Sequence, residues 1–213
     1  MIYHLLRSLW RGKTLLRTLM NWELRNHSVK GRVLDIGGGE EPSYFNFLNA
    51  EKAHIINIDF KNRGGLRVDL EKDVLPFENG QADYVLMFNI LEHIYNYHFL
   101  VTECHRVLKK GGEALGFVPF LINYHPDPHD YFRYTKEALF KIFSSNHFEV
   151  KEIREVGLGP LAVNYNNLAP SLPKVLRILI FPFYYFLDKL FLRFRPKASE
   201  RYPLGYLFVL RKP

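Results

Sequence analysis

A short apolar run from Val33 to Ile36 leads directly into three consecutive glycines, Gly37, Gly38 and Gly39. The run predicts a buried strand, and glycines at its end let backbone amides approach a ligand closely. In a parallel sheet this position faces the crevice above the carboxyl ends of the strands, where nucleotide-like cofactors bind. The third glycine of the dinucleotide fingerprint is absent, because Pro42 stands in its place. The stretch therefore predicts a nucleotide-like cofactor other than NAD.

Strand-like and helix-like segments alternate along the chain, which predicts a doubly wound α/β fold with a mostly parallel sheet. The predicted strands are 32–36, 54–59, 66–69, 82–89, 113–119, 148–156 and 206–211. The predicted helices are 43–49, 97–108 and 136–145.

Charge is distributed unevenly over the 213 residues. Residues 1–30 have a net charge of +5, residues 31–150 of −5 and residues 151–213 of +7. The basic ends are also rich in aromatic and aliphatic side chains, which favours an anionic membrane surface as a partner over nucleic acid. The single cysteine, Cys104, excludes an internal disulfide framework and a cysteine-cluster metal site. We therefore expect a cytoplasmic protein, with a peripheral position at the inner face of the membrane.

Two segments outside the alternating part are apolar and basic. Residues 1–30 predict an N-terminal amphipathic helical segment, which either packs on the domain or contacts a membrane. Residues 31–213 are expected to form the main domain, with a hydrophobic basic insertion at about 170–197. We expect this insertion to be a helical hairpin broken at Pro182, acting at a membrane or as a lid over the acceptor.

Acidic residues follow the next two predicted strands. Asp59 lies 20 residues after Gly39, where a carboxylate can accept hydrogen bonds from both ribose hydroxyls. Asp69 follows the third predicted strand and offers a carboxylate for an exocyclic amine such as that of adenine. Either residue could instead be a surface or capping residue.

Six segments in this order resemble the class I S-adenosylmethionine-dependent methyltransferases, in particular the type 11 group. They are 33–39, 58–59, 68–70, 75–85, 89–94 and 103–112. The resemblance implies a Rossmann-like fold, a seven-stranded sheet with an antiparallel last strand, and S-adenosylmethionine as cofactor. The chain departs from the family pattern at Glu41-Pro42, and only residues 60–65 stand where a helix usually joins the second and third strands.

The resemblance also implies roles for individual residues. The glycines would line the methionine part of the cofactor above Asp35, Asp59 would hold the ribose, Asp69 and Leu70 would face the adenine, and Asn89 would border the methionine end. The full set of expected cofactor-binding residues is Asp35, Gly37, Gly38, Gly39, Asp59, Phe60, Asp69, Leu70 and Asn89.

A proline-rich loop follows the fifth predicted strand and carries the candidate catalytic residues His125, His129 and Asp130. A histidine here could take the proton of an acceptor hydroxyl. Alternatively, Asp130 and Arg133 brace the loop. A metal site is not expected, because all the ligands considered lie on this one short loop.

The pattern of this loop resembles type 11 members of polysaccharide and glycolipid biosynthesis. The resemblance predicts an enzyme of class EC 2.1.1 that methylates a small or lipid-linked acceptor, with a saccharide hydroxyl as the favoured group. Alternatives are methylation of a quinone-like lipid ring and a non-catalytic cofactor-binding scaffold. RNA methylation is not expected, because no Asn-Pro-Pro-Tyr motif follows the fourth strand. The oligomeric state is left open.

Overall fold

The structure, a computed structural model, describes residues 2–39, 42–59 and 66–213. Its strands are β1 (Ser28–Ile36), β2 (Asn49–Ile58), β3 (Ala82–Phe88), β4 (Leu108–Pro119), β5 (Glu149–Val156) and β6 (Gly205–Arg211). Its α-helices are α1 (Ile2–Trp10), α2 (Leu15–Glu23), α3 (Tyr97–Val107), α4 (Lys136–Ser145), α5 (Pro160–Leu168), α6 (Lys174–Phe194) and α7 (Ala198–Arg201).

The strands form one sheet in the order β2-β1-β3-β4-β6-β5. β1 pairs in parallel with both β2 and β3, and β3 pairs in parallel with β4. β6 lies between β4 and β5 and is antiparallel to both. The predicted Rossmann-like sheet with an antiparallel last strand is therefore confirmed. The strand order reverses between β1 and β3, so a ligand crevice is expected above their carboxyl ends.

The predicted third strand does not form, and the described residues contain six strands instead of seven. Leu66 makes one isolated parallel bridge to Ile58. The chain then turns, because the backbone N–H of Asp73 donates to the carbonyl of Asp69 at 2.8 Å. A segment that pairs once at the sheet edge and then turns has too few ladder hydrogen bonds for a strand. The short connection at 60–65 lies outside the described residues.

The predicted helix after the glycine turn is reduced to one 3-10 turn at Ser43–Asn46. β2 already begins at Asn49, so the chain is too short there for an α-helix. The turn nevertheless buries Tyr44 at 2% exposure, which becomes important for the loop above β1.

Side chains of β1 alternate between the two faces of the sheet. Leu34 and Ile36 join the core beneath α3 and α4, whereas Val33 joins the core on the opposite face. That opposite face is covered by α1, α2, α5 and α6. The buried side chains of the two N-terminal helices there are Leu5, Leu9, Leu15, Leu19 and Met20. The N-terminal amphipathic segment therefore packs on the sheet and forms part of the core.

The insertion before β6 contains one continuous helix, α6, and the predicted break at Pro182 is wrong. Phe181 and Tyr185 are buried on the inner face of α6, one on each side of the proline. Packing of this face holds the helix together despite the backbone hydrogen bond that proline cannot make. The hairpin is formed instead by α5 and α6, where the hydroxyl of Tyr165 donates to the carbonyl of Arg177 at 3.1 Å.

Asp188 fixes α6 to the start of α5. Its carboxylate accepts hydrogen bonds from the backbone N–H groups of Leu161 at 3.1 Å and Ala162 at 2.8 Å. These N–H groups lie in the first turn of a helix, where no intrahelical acceptor exists. A Cβ at Gly159 would lie 2.6 Å from the Asp188 carboxylate, so the absence of a side chain there permits the close approach.

Replacing Asp188 tests this connection. We expect Asp188→Ala to lower the free energy of unfolding by about 1–3 kcal/mol, because two N–H groups of the first turn lose their acceptor. Urea denaturation monitored by circular dichroism measures the change. Asp188→Asn is the matched variant and should lose less, because it keeps one acceptor oxygen. Wild-type stability of the alanine variant would contradict this role.

Candidate functional site

A cavity of about 700 Å³ opens at the carboxyl ends of β1, β2 and β3. Its floor includes Gly37, Gly38 and Gly39, with Asp59 after β2 and Asn89 after β3. Its other walls come from α2, from the loop at 120–135 and from α5. The described side chains among these walls include Arg17, His93, Ile122, Asn123, His125, Asp127 and Asn166. The size is that of a typical pocket for a small molecule.

The glycine turn can be built only from glycine at its centre. Gly37 and Gly39 have φ angles of 72° and 69°, which lie in the left-handed region that disfavours other residues. A Cβ at Gly38 would lie 2.0 Å from the Asp35 carboxylate. The backbone N–H of Gly37 donates to the carbonyl of Ile58 at 2.8 Å, which ties the turn to the end of β2.

Asp35 supports this turn from below. It is fully buried, and one carboxylate oxygen accepts a hydrogen bond from the hydroxyl of Tyr44. The other oxygen has no hydrogen-bond partner among the described residues. Burial raises the pKa of Asp35 to about 7, although the Tyr44 hydroxyl opposes the shift. Asp35 therefore lies under the loop and does not line the cavity.

Asp59 and Asn89 lie where they can contact a ligand on the turn. The carboxylate of Asp59 accepts a hydrogen bond from the backbone N–H of Gly39 at 3.2 Å. Asn89 has a φ angle of 53°, which is uncommon for a residue other than glycine. Its backbone N–H donates to the carbonyl of Phe117 at 2.8 Å. Backbone strain of this kind is frequent at ligand sites.

Besides Asp35, three predicted cofactor residues are not among those described as lining the cavity. Asp69 accepts a hydrogen bond from the backbone N–H of Glu71 at 3.0 Å and pairs with Lys72 at 3.6 Å, as a turn residue does. Neither Asp69 nor the buried Leu70 lines the cavity. Phe60 lies outside the described residues. The adenine role of Asp69 and Leu70 and the contact of Phe60 therefore stay predictions.

Arg17 of α2 lines the cavity, and sequence reasoning missed it. The side chain lies near Tyr44 and Glu92, and desolvation lowers its pKa from the usual value. A half-buried guanidinium facing a cavity is suited to bind a carboxylate or phosphate. In the sequence Arg17 is one of several arginines in an amphipathic segment, so nothing distinguished it from a solvated basic face.

The loop at 120–135 brings the candidate catalytic residues into different surroundings. Asp130 forms a bidentate ion pair with Arg133, whose guanidinium holds the pKa of that carboxyl at about 2. The same carboxylate accepts a hydrogen bond from the backbone N–H of His125 at 2.9 Å. His125 lines the cavity, whereas His129 is exposed and stacks on Tyr131. Asp130 thus acts as a brace for the loop and for His125.

Glu92 is a second residue whose role sequence reasoning missed, although it lies within the segment 89–94 that carries the family resemblance. It is fully buried, and neither carboxylate oxygen has a hydrogen-bond partner among the described residues. Burial raises its pKa to about 8. Its backbone carbonyl accepts the N–H of Tyr131 at 2.8 Å, which holds the loop against the end of β3.

Comparisons with known proteins relate part of the chain to methyltransferases. Residues 34–116 match the sequence model of the methyltransferase domain family, described as "Methyltransferase domain". A relative from Mycolicibacterium smegmatis, named "Probable S-adenosylmethionine-dependent methyltransferase", is 32% identical over 112 residues. That match covers 47% of this chain and 43% of the relative. Residues 34–116 are therefore similar to a methyltransferase domain. The chain spans less than half the length of the curated relatives it matches.

Solved structures share this fold at low sequence identity. A methyltransferase in complex with the Trm112 activator of Haloferax volcanii is 15% identical with a TM-score of 0.59, and the match covers 97% of this chain and 93% of that chain. The cyclase SpnF is 17% identical with a TM-score of 0.57, and the match covers 93% and 81%. These likenesses confirm the fold alone.

The residues that match the methyltransferase domain model supply only part of the cavity. The glycine turn, Asp59, Asn89 and His93 lie within the matched residues, whereas Arg17 and His125 lie before and after them. The shared segment therefore corresponds to the expected cofactor side. The N-terminal helices and the segments after β4 form the remaining walls.

The raised pKa of Asp35 predicts a pH-dependent stability. Its protonated form stabilises the fold fully below pH 3.8, and this contribution is lost as the pH rises through about 7. Between these values the stability of the wild type relative to Asp35→Asn should fall by at most about 1.4 kcal/mol per pH unit. Urea denaturation of both proteins across this range measures the difference. A stability difference that is independent of pH would refute the buried, raised pKa.

Proposed function

We propose that the protein is an S-adenosylmethionine-dependent methyltransferase whose acceptor is a hydroxyl of a small or lipid-linked saccharide. The observation that carries the proposal is the convergence of the glycine turn, Asp59 and Asn89 on one cavity, within the residues that match a methyltransferase domain model. Because a cyclase has the same fold, the fold alone does not define the reaction. The proposed reaction therefore has to be supported by the individual side chains of the site.

The groups around the cavity fit the parts of this cofactor. The open backbone of the glycine turn suits the methionine part, because no side chain prevents close approach. The Asp59 carboxylate can accept hydrogen bonds from both ribose hydroxyls. The Arg17 guanidinium in the cavity wall offers a counter-charge for the amino-acid carboxylate.

Bound S-adenosylmethionine would supply an electrophilic methyl group on a sulfonium. The chain itself has to hold the acceptor oxygen in line with that group and exclude competing water, since orientation accounts for much of the barrier reduction in such transfers. His125 can contact an acceptor in the cavity and take its proton. Burial lowers the pKa of His125, so its imidazole is neutral near pH 7 and can accept a proton. His129 faces away, and Asp130 is held ionised by Arg133.

The saccharide preference rests on the loop at 120–135 and on the polar cavity walls. Asn123 and Asn166 line the cavity and offer hydrogen-bond groups for a polyhydroxylated acceptor. A quinone-like ring would instead favour apolar walls. The glycine turn and Asp59 argue against a scaffold that has lost cofactor binding. Formation of a methylated product would separate the enzyme from a non-catalytic scaffold that still binds the cofactor.

Two variants separate the proposed contacts to the cofactor. Arg17→Ala should weaken S-adenosylmethionine binding about tenfold or more, because it removes a charge-assisted contact to the carboxylate. It should not change the affinity for 5′-methylthioadenosine, which has the ribose and adenine but no amino-acid carboxylate. Asp59→Ala should weaken the binding of both compounds. Isothermal titration calorimetry measures all four affinities.

The matched controls are Arg17→Lys, which keeps the charge, and Asp59→Asn, which keeps one acceptor oxygen. Each should lose less affinity than the corresponding alanine variant. Equal losses for both compounds in Arg17→Ala would contradict the carboxylate role. Unchanged binding in Asp59→Ala would contradict the ribose role.

We further propose that α6 docks the enzyme on an anionic membrane surface. One side of the helix, which we call the outer face of α6, carries large apolar side chains at helical spacing. They are Leu179, Phe183, Phe186, Leu190 and Phe194, each more than half exposed. In the described part of the chain, no helix is long and apolar enough to span a membrane.

Basic and aromatic residues surround the outer face of α6. Exposed Lys189 and Arg193 lie beside it on the same helix. At its beginning, the Lys174 ammonium lies 4.9 Å from the ring centroid of Trp10, which is 58% exposed. Apolar side chains bordered by cations and tryptophan are typical of helices in the headgroup region. A lipid-linked acceptor would then reach the enzyme at the membrane surface.

Introducing negative charge on the outer face of α6 tests the membrane contact. Phe183→Glu combined with Phe186→Glu should abolish sedimentation with phosphatidylserine vesicles, because carboxylates replace inserted rings next to anionic lipid. Phe140→Glu is the matched control, since Phe140 is 55% exposed on α4 and away from this face. The control should sediment as the wild type does. Sedimentation of the double variant at the wild-type level would contradict the contact.

A further inference from the structure

Three side chains from two parts of the chain meet at one wall of the cavity. Glu92 and His93 follow β3, and His125 follows β4. One donor atom from each lies within 4.8 Å of the others. The Glu92 Oε1 atom is 3.7 Å from His93 Nε2 and 4.0 Å from His125 Nε2. Ligands of one tetrahedral zinc ion are about 3.3 Å apart, so small side-chain rotations would bring these atoms onto a shared ion.

Both imidazoles are oriented by a partner on their other nitrogen. His93 Nδ1 contacts the backbone carbonyl of His129, and His125 Nδ1 lies 3.4 Å from the Asp130 carboxylate. A carbonyl or carboxylate at Nδ1 holds the proton there and leaves Nε2 as an acceptor directed towards Glu92. Metal-binding histidines have this arrangement in most proteins.

The third side chain, Glu92, gives an independent sign of a ligand. It is 0% exposed, and both carboxylate oxygens lack a hydrogen-bond partner in the described residues. Buried carboxylates without such partners are costly, and a bound cation is one of the few groups that satisfies them. Two guanidinium groups lie nearby: that of Arg133 is already bound to Asp130, and that of Arg17 makes no hydrogen bond to Glu92.

We propose that Glu92, His93 and His125 bind one divalent first-row transition-metal ion in the wall of the cavity. Two histidines and one carboxylate form a common ligand set for such ions, and they leave further coordination positions for other ligands. His93, His125 and the neighbouring Asp127 line the cavity, so those positions face the space for the acceptor. The expectation of no metal considered only ligands of the 120–135 loop, whereas the fold adds Glu92 and His93 from the end of β3.

The chemical consequence rests on the proposed function. An acceptor hydroxyl that coordinates the ion has a lowered pKa and releases its proton to water. Its oxygen then forms a bond to the methyl carbon while the carbon–sulfur bond breaks, and the electron pair of that bond stays on sulfur. In this arrangement His125 acts as a ligand that holds the ion, and the ion activates the hydroxyl.

Metal titration tests the site without any assay of methyl transfer. The full chain, freed of metal with a chelator, is titrated with Zn²⁺ in competition with a chromophoric chelator, and separately with Co²⁺ while its visible absorption is recorded. We expect one ion per chain. Glu92→Gln and His125→Ala should each weaken Zn²⁺ binding by at least about tenfold. Both should also change the Co²⁺ spectrum.

His129→Ala is the matched control for metal binding. It removes an exposed imidazole from the same loop but keeps the backbone carbonyl that contacts His93. Its Zn²⁺ affinity should equal that of the wild type. Circular dichroism confirms folding of each variant. If Glu92→Gln does not fold because Glu92 is buried, the His125→Ala variant still tests the site, because His125 is exposed.

The outcomes separate this proposal from the proposed function. Absence of Zn²⁺ and Co²⁺ binding by the wild type would overturn the metal site, and so would wild-type affinity in both cluster variants. Calorimetry with S-adenosylmethionine in the presence of the chelator tests the cofactor site independently. Cofactor binding without metal binding would leave the methyltransferase proposal standing and remove the metal site. Metal binding without cofactor binding would contradict the methyltransferase proposal and leave the metal site standing.

Discussion

The close contact between the glycine turn and the buried Asp35 is the constraint on which the cavity depends. The turn can lie over this carboxylate only because Gly38 has no side chain, since a Cβ would lie 2.0 Å from it. Tyr44 holds the carboxylate from the other side, and Gly37 joins the turn to the end of β2. These contacts position the backbone that a nucleotide-like ligand approaches. The position of Asp59, which accepts the N–H of Gly39, follows from the same turn.

The remaining walls come from segments outside the residues that match the methyltransferase domain model. α2 reaches the cavity because its apolar side chains pack on one face of the sheet, and α5 follows because its Asn166 accepts the backbone N–H of Leu16 at 3.1 Å. α6 is held to α5 through Asp188 and turns its other side outwards. Packing on one face of the sheet thus links the cavity to the exposed outer face of α6.

Much of the fold could be predicted because the signals are local. Apolar runs with glycine or proline at their ends predicted the bounds of β3 and β6 to within one residue. The predicted bounds of α4 agree with those observed. The wrong predictions concern segments whose secondary structure depends on tertiary packing. Pro182 does not break α6, because Phe181 and Tyr185 are packed on both sides of it. The third predicted strand makes only the bridge from Leu66 to Ile58 at the sheet edge before the chain turns at Asp69.

The same reasoning explains which site residues were found. The glycines, Asp59 and Asn89 follow strands, and strand ends converge at one edge of a parallel sheet, so their meeting could be predicted. Arg17 could not be recognised, because its position depends on how α2 packs. The meeting of Glu92 and His93 with His125 depends on the path of the 120–135 loop, which no periodic pattern encodes.

The most direct test of the central claim is calorimetric titration of the wild-type protein with S-adenosylmethionine and, separately, with NAD. The glycine turn lacks the third glycine of the dinucleotide fingerprint, and the carboxylate of Asp59, which we propose binds ribose, follows it within the residues that match a methyltransferase domain model. The account therefore predicts saturable binding of S-adenosylmethionine with one site per chain and no heat from NAD. Binding of NAD, or of neither compound, would contradict it.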